Sequence, residues 1–363
     1  MTDVDKIFQM LEKNRKVVKS NDTDVCTADI KKYYEMILDA CTKDYINAEP
    51  PTLLICETYN KYSELLPVRE NRAYKYYVLY DCHMERIINR FVTIALADEE
   101  SGHDVWKLAY DLFGEEMILN KENLLYLYYK MNSVALGDYE LNLEDSSEAS
   151  LIKEIQVSYI LAHEIGHWLY AVTKEGKEKQ VLNLSDNVKN IIDNCKALLL
   201  ETYEDLNSRY KGKEYDSLIK EQENIISKID RIMEECFADA IAYSYIINYV
   251  NAEYGTAEAR FTAVKSLFIL MMGLQLLAMS YMTFSDNSFE NSVSIRIVFF
   301  RKYLSQYYED STSEFNKILE DMMERFENRV TCIILESFAE LEDRAKNLNE
   351  YFSNNDINSN IPT

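Results

Sequence analysis

All four prolines of this chain (Pro50, Pro51, Pro67 and Pro362) fall outside residues 68–361. Nearly three hundred consecutive residues therefore carry no covalent helix breaker, because only proline both fixes φ and removes the backbone donor a helix needs. Eight glycines in 363 residues leave few places for a turn that needs positive φ. With 47% hydrophobic residues there is ample material for a buried core. These features exclude collagen-like, disulfide-scaffold and disordered chains and predict a mainly α protein. A small β-sheet is expected near the prolines, giving an α+β class.

Patterning fills in that outline. Residues 1–45 are predicted helical from apolar positions such as Ile7, Phe8 and Leu11, then Tyr34, Ile37 and Leu38. After Pro50-Pro51, the run TLLIC (52–56) reads as a strand, and after Pro67 so does YKYYVLY (74–80). Asp81 stands as the N-cap of the helix CHMERIINRFVTIAL. The polar stretch 140–150 contains Asp145 and Glu148 at capping-box spacing. It opens the helix LIKEIQVSYILAHEIGHWLYAV, expected to stop near Gly176. Residues 177–232 read as a charged helical hairpin turning near Gly212, followed by a helix from about Ile229 to Val250. Further helices run to about Leu348. The expected organisation is an N-terminal lobe (1–145), a catalytic helical domain (146–350) with an insertion at 177–232, and a polar tail (351–363).

Charge and cysteine usage bound the setting. With 39 Lys+Arg against 62 Asp+Glu, the net charge is −23, which argues against a nucleic-acid or anionic-membrane binder. Seven scattered cysteines without a CxxC pair read as reduced thiols of a cytoplasmic protein, and the first residues lack an apolar signal region. Residues 266–285 contain no charge and are long enough to span a bilayer. Gln275, Gly273, several hydroxyls and the lack of a basic flank favour a buried core helix, with a membrane span as the alternative.

The chemistry concentrates in His163-Glu164-Ile165-Gly166-His167, which uses two of only four histidines. Residues four apart on a helix share a face, so both imidazoles can point a nitrogen at one zinc ion. Glu164, one position round, can act as general base toward a water without occupying a coordination site. A third ligand must come from elsewhere, and Glu235 and Asp239 in EECFADA are again four apart. Glu235 can complete the site, and Asp239 can orient a ligand histidine through its far nitrogen. His83 and His103 read as structural residues, Cys236 as a packing residue, and Tyr126, Tyr128 and Tyr129 as core-edge tyrosines.

HEIGH followed by ECFAD resembles the gluzincin metallopeptidases with an HExxH…ExxxD pattern, such as the HtpX-like and CAAX-processing peptidases and, more loosely, the ImmA/IrrE type. The resemblance covers about residues 147–245. It implies a zincin-like core, one catalytic Zn2+ held by His163, His167 and Glu235, Glu164 as general base, and Asp239 as supporting acid. It departs from the HtpX-like pattern in lacking clear membrane spans and a His-Pro element near the C-terminal side. The stretch NSVSIR occupies a similar place, so Arg296 or Arg301 is a candidate for anchoring a substrate carbonyl or the carboxylate network. A tyrosine or histidine that stabilises the oxyanion is also implied, and 28 tyrosines leave it unnamed. The functional expectation is a zinc metallopeptidase with a narrow protein or peptide substrate range. The alternatives are a regulatory or binding protein on the same scaffold, or a single-target protease resembling the Lit-type phage-exclusion proteins.

Overall fold

The computed structural model describes residues 3–15, 17–20, 25–42, 48–59, 62–70, 73–96, 102–141, 147–175 and 229–282, with scattered positions between 190 and 201 and between 296 and 354. Helix α1 (Asp3–Arg15) leads into strand β1 (Val17–Ser20) and helix α2 (Val25–Thr42). Strands β2 (Thr52–Thr58), β3 (Glu64–Glu70) and β4 (Ala73–Asp81) follow. The helices that follow among the described residues are α3 (Cys82–Leu96), α4 (Gly102–Leu119), α5 (Asn123–Ala135), α6 (Ser147–Glu175), α7 (Ile229–Glu253) and α8 (Ala257–Met282). The expected mainly helical chain with a small sheet is therefore what forms. The hairpin near Gly212, the capping pair's Asp145 and most of the insertion and tail lie outside the described residues.

The sheet has the order β1-β2-β4-β3. Its central pair β2–β4 is parallel, and the two outer pairings are antiparallel. Period-two alternation explains how so small a sheet serves two cores. Leu54, Cys56, Tyr77 and Leu79 point to one face and bury Ile7 and Leu11 of α1. Ile55, Val78 and Tyr80 point to the other and join the main cluster, built on α2 to α8.

Two strands depart from the sequence reading. Val17–Ser20 was expected to be helical but pairs with β2, Val17 lying opposite Thr58; two adjacent valines favour an extended edge. The strand β3 contains Pro67, which reads as a breaker. It is accommodated because β3 is the sheet's edge, where a missing donor costs no ladder bond on the open side.

Asp81 ends β4 and caps α3 as expected, accepting the His83 amide at 2.9 Å. Its buried carboxylate also takes the Thr58 hydroxyl at 2.6 Å and the Tyr62 amide at 3.2 Å. One side chain thus ties the ends of β2, β3 and β4 to the start of α3. Helix α7 turns into α8 through Gly255, whose φ of +62° suits glycine. Thr256 caps α8 by accepting the Ala259 amide at 3.1 Å.

The apolar segment 266–285 lies mostly in α8. Leu267, Phe268, Ile269, Leu270 and Met271 are buried in the main cluster, each contributing about 1.5–3 kcal/mol of burial. Among the described residues no helix is long and apolar enough to cross a membrane.

Candidate metal centre

The HEIGH segment lies in the middle of α6, a helix buried on nearly all sides from Leu151 to Leu169. Helix α7 packs along it, and one glycine decides how closely. A Cβ built on Gly166 would sit 2.7 Å from the Ala238 Cα and 3.1 Å from both its Cβ and its carbonyl oxygen. The two backbones therefore cross in near-contact between His163 and His167 on one helix and Glu235 and Asp239 on the other. Small residues at the crossing bring side chains about 70 residues apart in sequence to a common point.

The three proposed ligand atoms converge there. His163 Nε2 and His167 Nε2 are 3.1 Å apart. Glu235 brings Oε2 to 3.5 Å of the first and Oε1 to 3.7 Å of the second. Ligands at 2.0–2.1 Å around a tetrahedral zinc ion stand about 3.3 Å from one another, so the separations fit such an ion at their centre. Two imidazoles and a carboxylate are also a donor set that zinc takes while keeping a position open. His163 and Glu235 are buried and His167 is partly exposed, so the cluster opens on the His167 side.

Behind each histidine stands an acid. Asp239 Oδ1 lies 2.9 Å from His163 Nδ1. That contact lies off the ring N–H direction, so it acts through charge more than as an aligned hydrogen bond. Glu234 Oε1 is 3.1 Å from His167 Nδ1. Each Nδ1 thereby faces an acid while both Nε2 atoms point inward, the arrangement metal-binding histidines use.

Arg296 binds Asp239 and the ligand candidate Glu235. Its Nε and Nη2 hold Asp239 Oδ2 and Oδ1 at 2.8 and 2.7 Å, a two-pronged contact. Its Nη1 reaches Glu235 Oε2 at 3.1 Å. Of the two arginines considered from sequence, Arg296 is the one in this network, and its partners are the carboxylates, not an open cleft. Burial alone would raise both acids; the Arg296 charge outweighs it, drawing Glu235 down to about 2 and Asp239 lower still. Burial pushes His163 the other way from its acids, and Asp239 and Glu235 win, raising it to about 9.

Glu164 is buried with only 5% of its surface exposed. Desolvation raises its pKa, opposed by His167 and His163 and assisted by the negative Glu235 and Glu64. A buried carboxyl held above its ordinary range and adjacent to the ligand cluster is suited to accept and return a proton.

Three contributors were not read from sequence. Tyr159 donates to Asp239 Oδ1 and stacks on the His163 ring at 5.7 Å between centroids; it stands four residues before His163, on the same helix face. Glu234 adjoins a predicted ligand. Gly166 is an isolated glycine inside an apolar helix, a signature of close backbone approach. The remaining histidines serve structure. His83 Nε2 meets Glu115 at 2.8 Å. His103 bonds the Leu136 carbonyl and Asp104, whose oxygens accept the Glu140 and Leu141 amides. Cys236 is fully buried, and Tyr129 lies in the core with Tyr126 and Tyr128 packed against it.

No family model, curated protein or solved structure matches this chain.

Proposed function

We propose that this protein is a zinc-dependent metallopeptidase on a zincin-like core, hydrolysing peptide bonds in a narrow range of proteins or peptides. The observation that carries the reading is the convergence of His163, His167 and Glu235 beside the buried carboxyl of Glu164. A bound zinc ion supplies Lewis acidity and makes water a nucleophile at neutral pH. His163, His167 and Glu235 hold it, and Asp239 and Glu234 keep the two rings in place.

The proton inventory falls to Glu164. It takes a proton from the water as the oxygen adds to the peptide carbonyl carbon, then gives it to the nitrogen as the C–N bond breaks. The amine leaves neutral, and the carboxylate is restored. A raised pKa favours the second half of that cycle, and the ligand histidines keep the ionised form accessible for the first.

A peptide is favoured as substrate by the neighbouring strand. β3 is the edge of the sheet and packs against α6, and Glu64 at its start lies within the electrostatic reach of Glu164. An extended chain can pair with such an edge through main-chain hydrogen bonds.

The test is incubation of the zinc-loaded protein with a proteome-derived peptide library, read by mass spectrometry. Cleavage is expected at a restricted set of sites, abolished by a chelator and reduced about 10²–10⁴-fold in Glu164→Gln, with casein left largely intact. Cleavage that Glu164→Gln leaves unchanged overturns the reading, and so does the absence of any cleavage by protein that holds zinc.

A further inference from the structure

We propose that His103, Asp104 and Glu140 form a second cation site, separate from the HEIGH cluster and suited to a divalent transition-metal ion such as zinc. Among the described residues they are the other group of three whose ligand atoms all lie within 4.8 Å of one another. The site combines a buried acid, a half-buried histidine and an exposed acid. It does not depend on the metallopeptidase reading.

The neighbours of His103 decide where its proton sits. Nε2 lies 2.6 Å from the Leu136 carbonyl oxygen. A carbonyl only accepts, so Nε2 holds the hydrogen, and the neutral ring keeps its lone pair on Nδ1. That lone pair faces two further acceptors, Asp104 Oδ1 at 3.0 Å and Glu140 Oε1 at 3.9 Å. Three acceptor atoms meeting in this way call for a positive species between them. Metal-binding histidines are held likewise, giving one N–H to a backbone carbonyl and presenting the other nitrogen to the ion. The two separations bracket the roughly 3.3 Å between ligands of a tetrahedral zinc ion, and an imidazole with two carboxylates is a donor set zinc accepts.

Backbone contacts fix the group in advance. Asp104 is buried and accepts the Glu140 amide through Oδ1 and the Leu141 amide through Oδ2, both at 2.8 Å. A carboxylate offers about four lone-pair sites, so these bonds are compatible with a bond to an ion. The same contacts seat Glu140 beside His103, and its side chain, 66% exposed, has room to close the last few tenths of an ångström. An ion held here joins the first turn of α4 to residues 136–141, the segment that follows α5.

The test needs no substrate. Full-length protein is loaded with zinc, freed of excess, and titrated calorimetrically with further zinc in the wild type, Glu140→Gln, His103→Gln and the control Asp138→Asn, an exposed acid of the same segment. The wild type is expected to take up one more zinc, bound about tenfold or more weakly in Glu140→Gln and in His103→Gln and as in the wild type in Asp138→Asn. The thermal midpoint should rise with this uptake in the wild type and not in Glu140→Gln. Glu140→Gln alters an exposed side chain, so it tests the site even where His103→Gln fails to fold. Uptake that Glu140→Gln leaves unchanged, or that Asp138→Asn weakens equally, overturns the proposal, because surface charge alone then holds the ion. A wild type that takes up no second zinc overturns it as well and leaves a protonated imidazole between the two acids. If the HEIGH cluster takes no zinc, the metallopeptidase reading fails, while the same variants still decide whether the remaining uptake belongs to His103, Asp104 and Glu140.

Discussion

Replacing Gly166 by alanine sets two opposing effects against each other. Mid-helix, alanine is favoured over glycine by about 1 kcal/mol, so helix propensity alone predicts stabilisation. The crossing with α7 predicts the reverse, because the new methyl would lie 2.7 Å from the Ala238 Cα. Carbon atoms in contact sit about 3.5–4.0 Å apart, so the helices must part by roughly 1 Å. The atoms in the way are backbone and a Cβ, which cannot rotate aside as a long side chain can. Overpacking of this kind costs about 1–3 kcal/mol, and the rigid neighbour places it in the upper part of that range. The expected net effect is a loss of about 1–2 kcal/mol, read by urea unfolding of the metal-free protein. The larger consequence is on the metal. His163 and His167 ride on one helix and Glu235 on the other, and metal sites tolerate only about 0.2 Å of error in ligand distance. Zinc affinity, measured by competition with a chromophoric chelator, is expected to fall by at least about tenfold. Gly273→Ala is the control, since its Cβ meets the edge of the Phe91 ring at 3.3 Å and a ring can yield. A Gly166→Ala variant that is about 1 kcal/mol more stable and binds zinc as the wild type does would refute the close crossing.

Arg296→Met removes the cation from a buried acid pair and is expected to cost about 3–5 kcal/mol in urea unfolding of the metal-free protein; adding Asp239→Asn should recover part of that loss, and an unaltered midpoint in Arg296→Met would contradict the network. The metal-free protein should also show a defined pH profile. Glu235, lowered from 4.5 to about 2, contributes stability that is present above 4.5 and lost as pH falls toward 2. His163, raised from 6.5 to about 9, contributes stability present below 6.5 and lost as pH rises toward 9. Stability should therefore be greatest between about 4.5 and 6.5 for this cluster, and His163→Gln should flatten the alkaline limb. Zinc uptake must displace the His163 proton, so its apparent affinity should climb with pH up to about 9; an affinity independent of pH from 6 to 9 would exclude His163 as a ligand.

What could be read from sequence divides along a physical line. Spacing of four on one helix is a local property, so His163 with His167, and Glu235 with Asp239, were legible without knowing how the helices meet. TLLIC and YKYYVLY were legible as strands because β-branched and aromatic residues crowd a pleat. β3 was missed because Pro67 counts against a strand unless the strand is known to be an edge, which is a property of the whole sheet. β1 was missed because four residues are too few to break a helical reading. Tyr159 and Gly166 each carried a local signal, one turn from His163 and within its motif, and their importance became apparent only once α7 was packed against α6. Arg296 reaches the site from a separate segment, and nothing in the sequence distinguished its tertiary partner from that of Arg301.

The central claim is that His163, His167 and Glu235 form one metal site, and metal content tests it most directly. Elemental analysis of protein purified without chelator, with zinc added back and excess removed, should find about one zinc per chain, and less in both His163→Ala and Glu235→Ala. Wild-type protein that carries no zinc even after addition would contradict the claim.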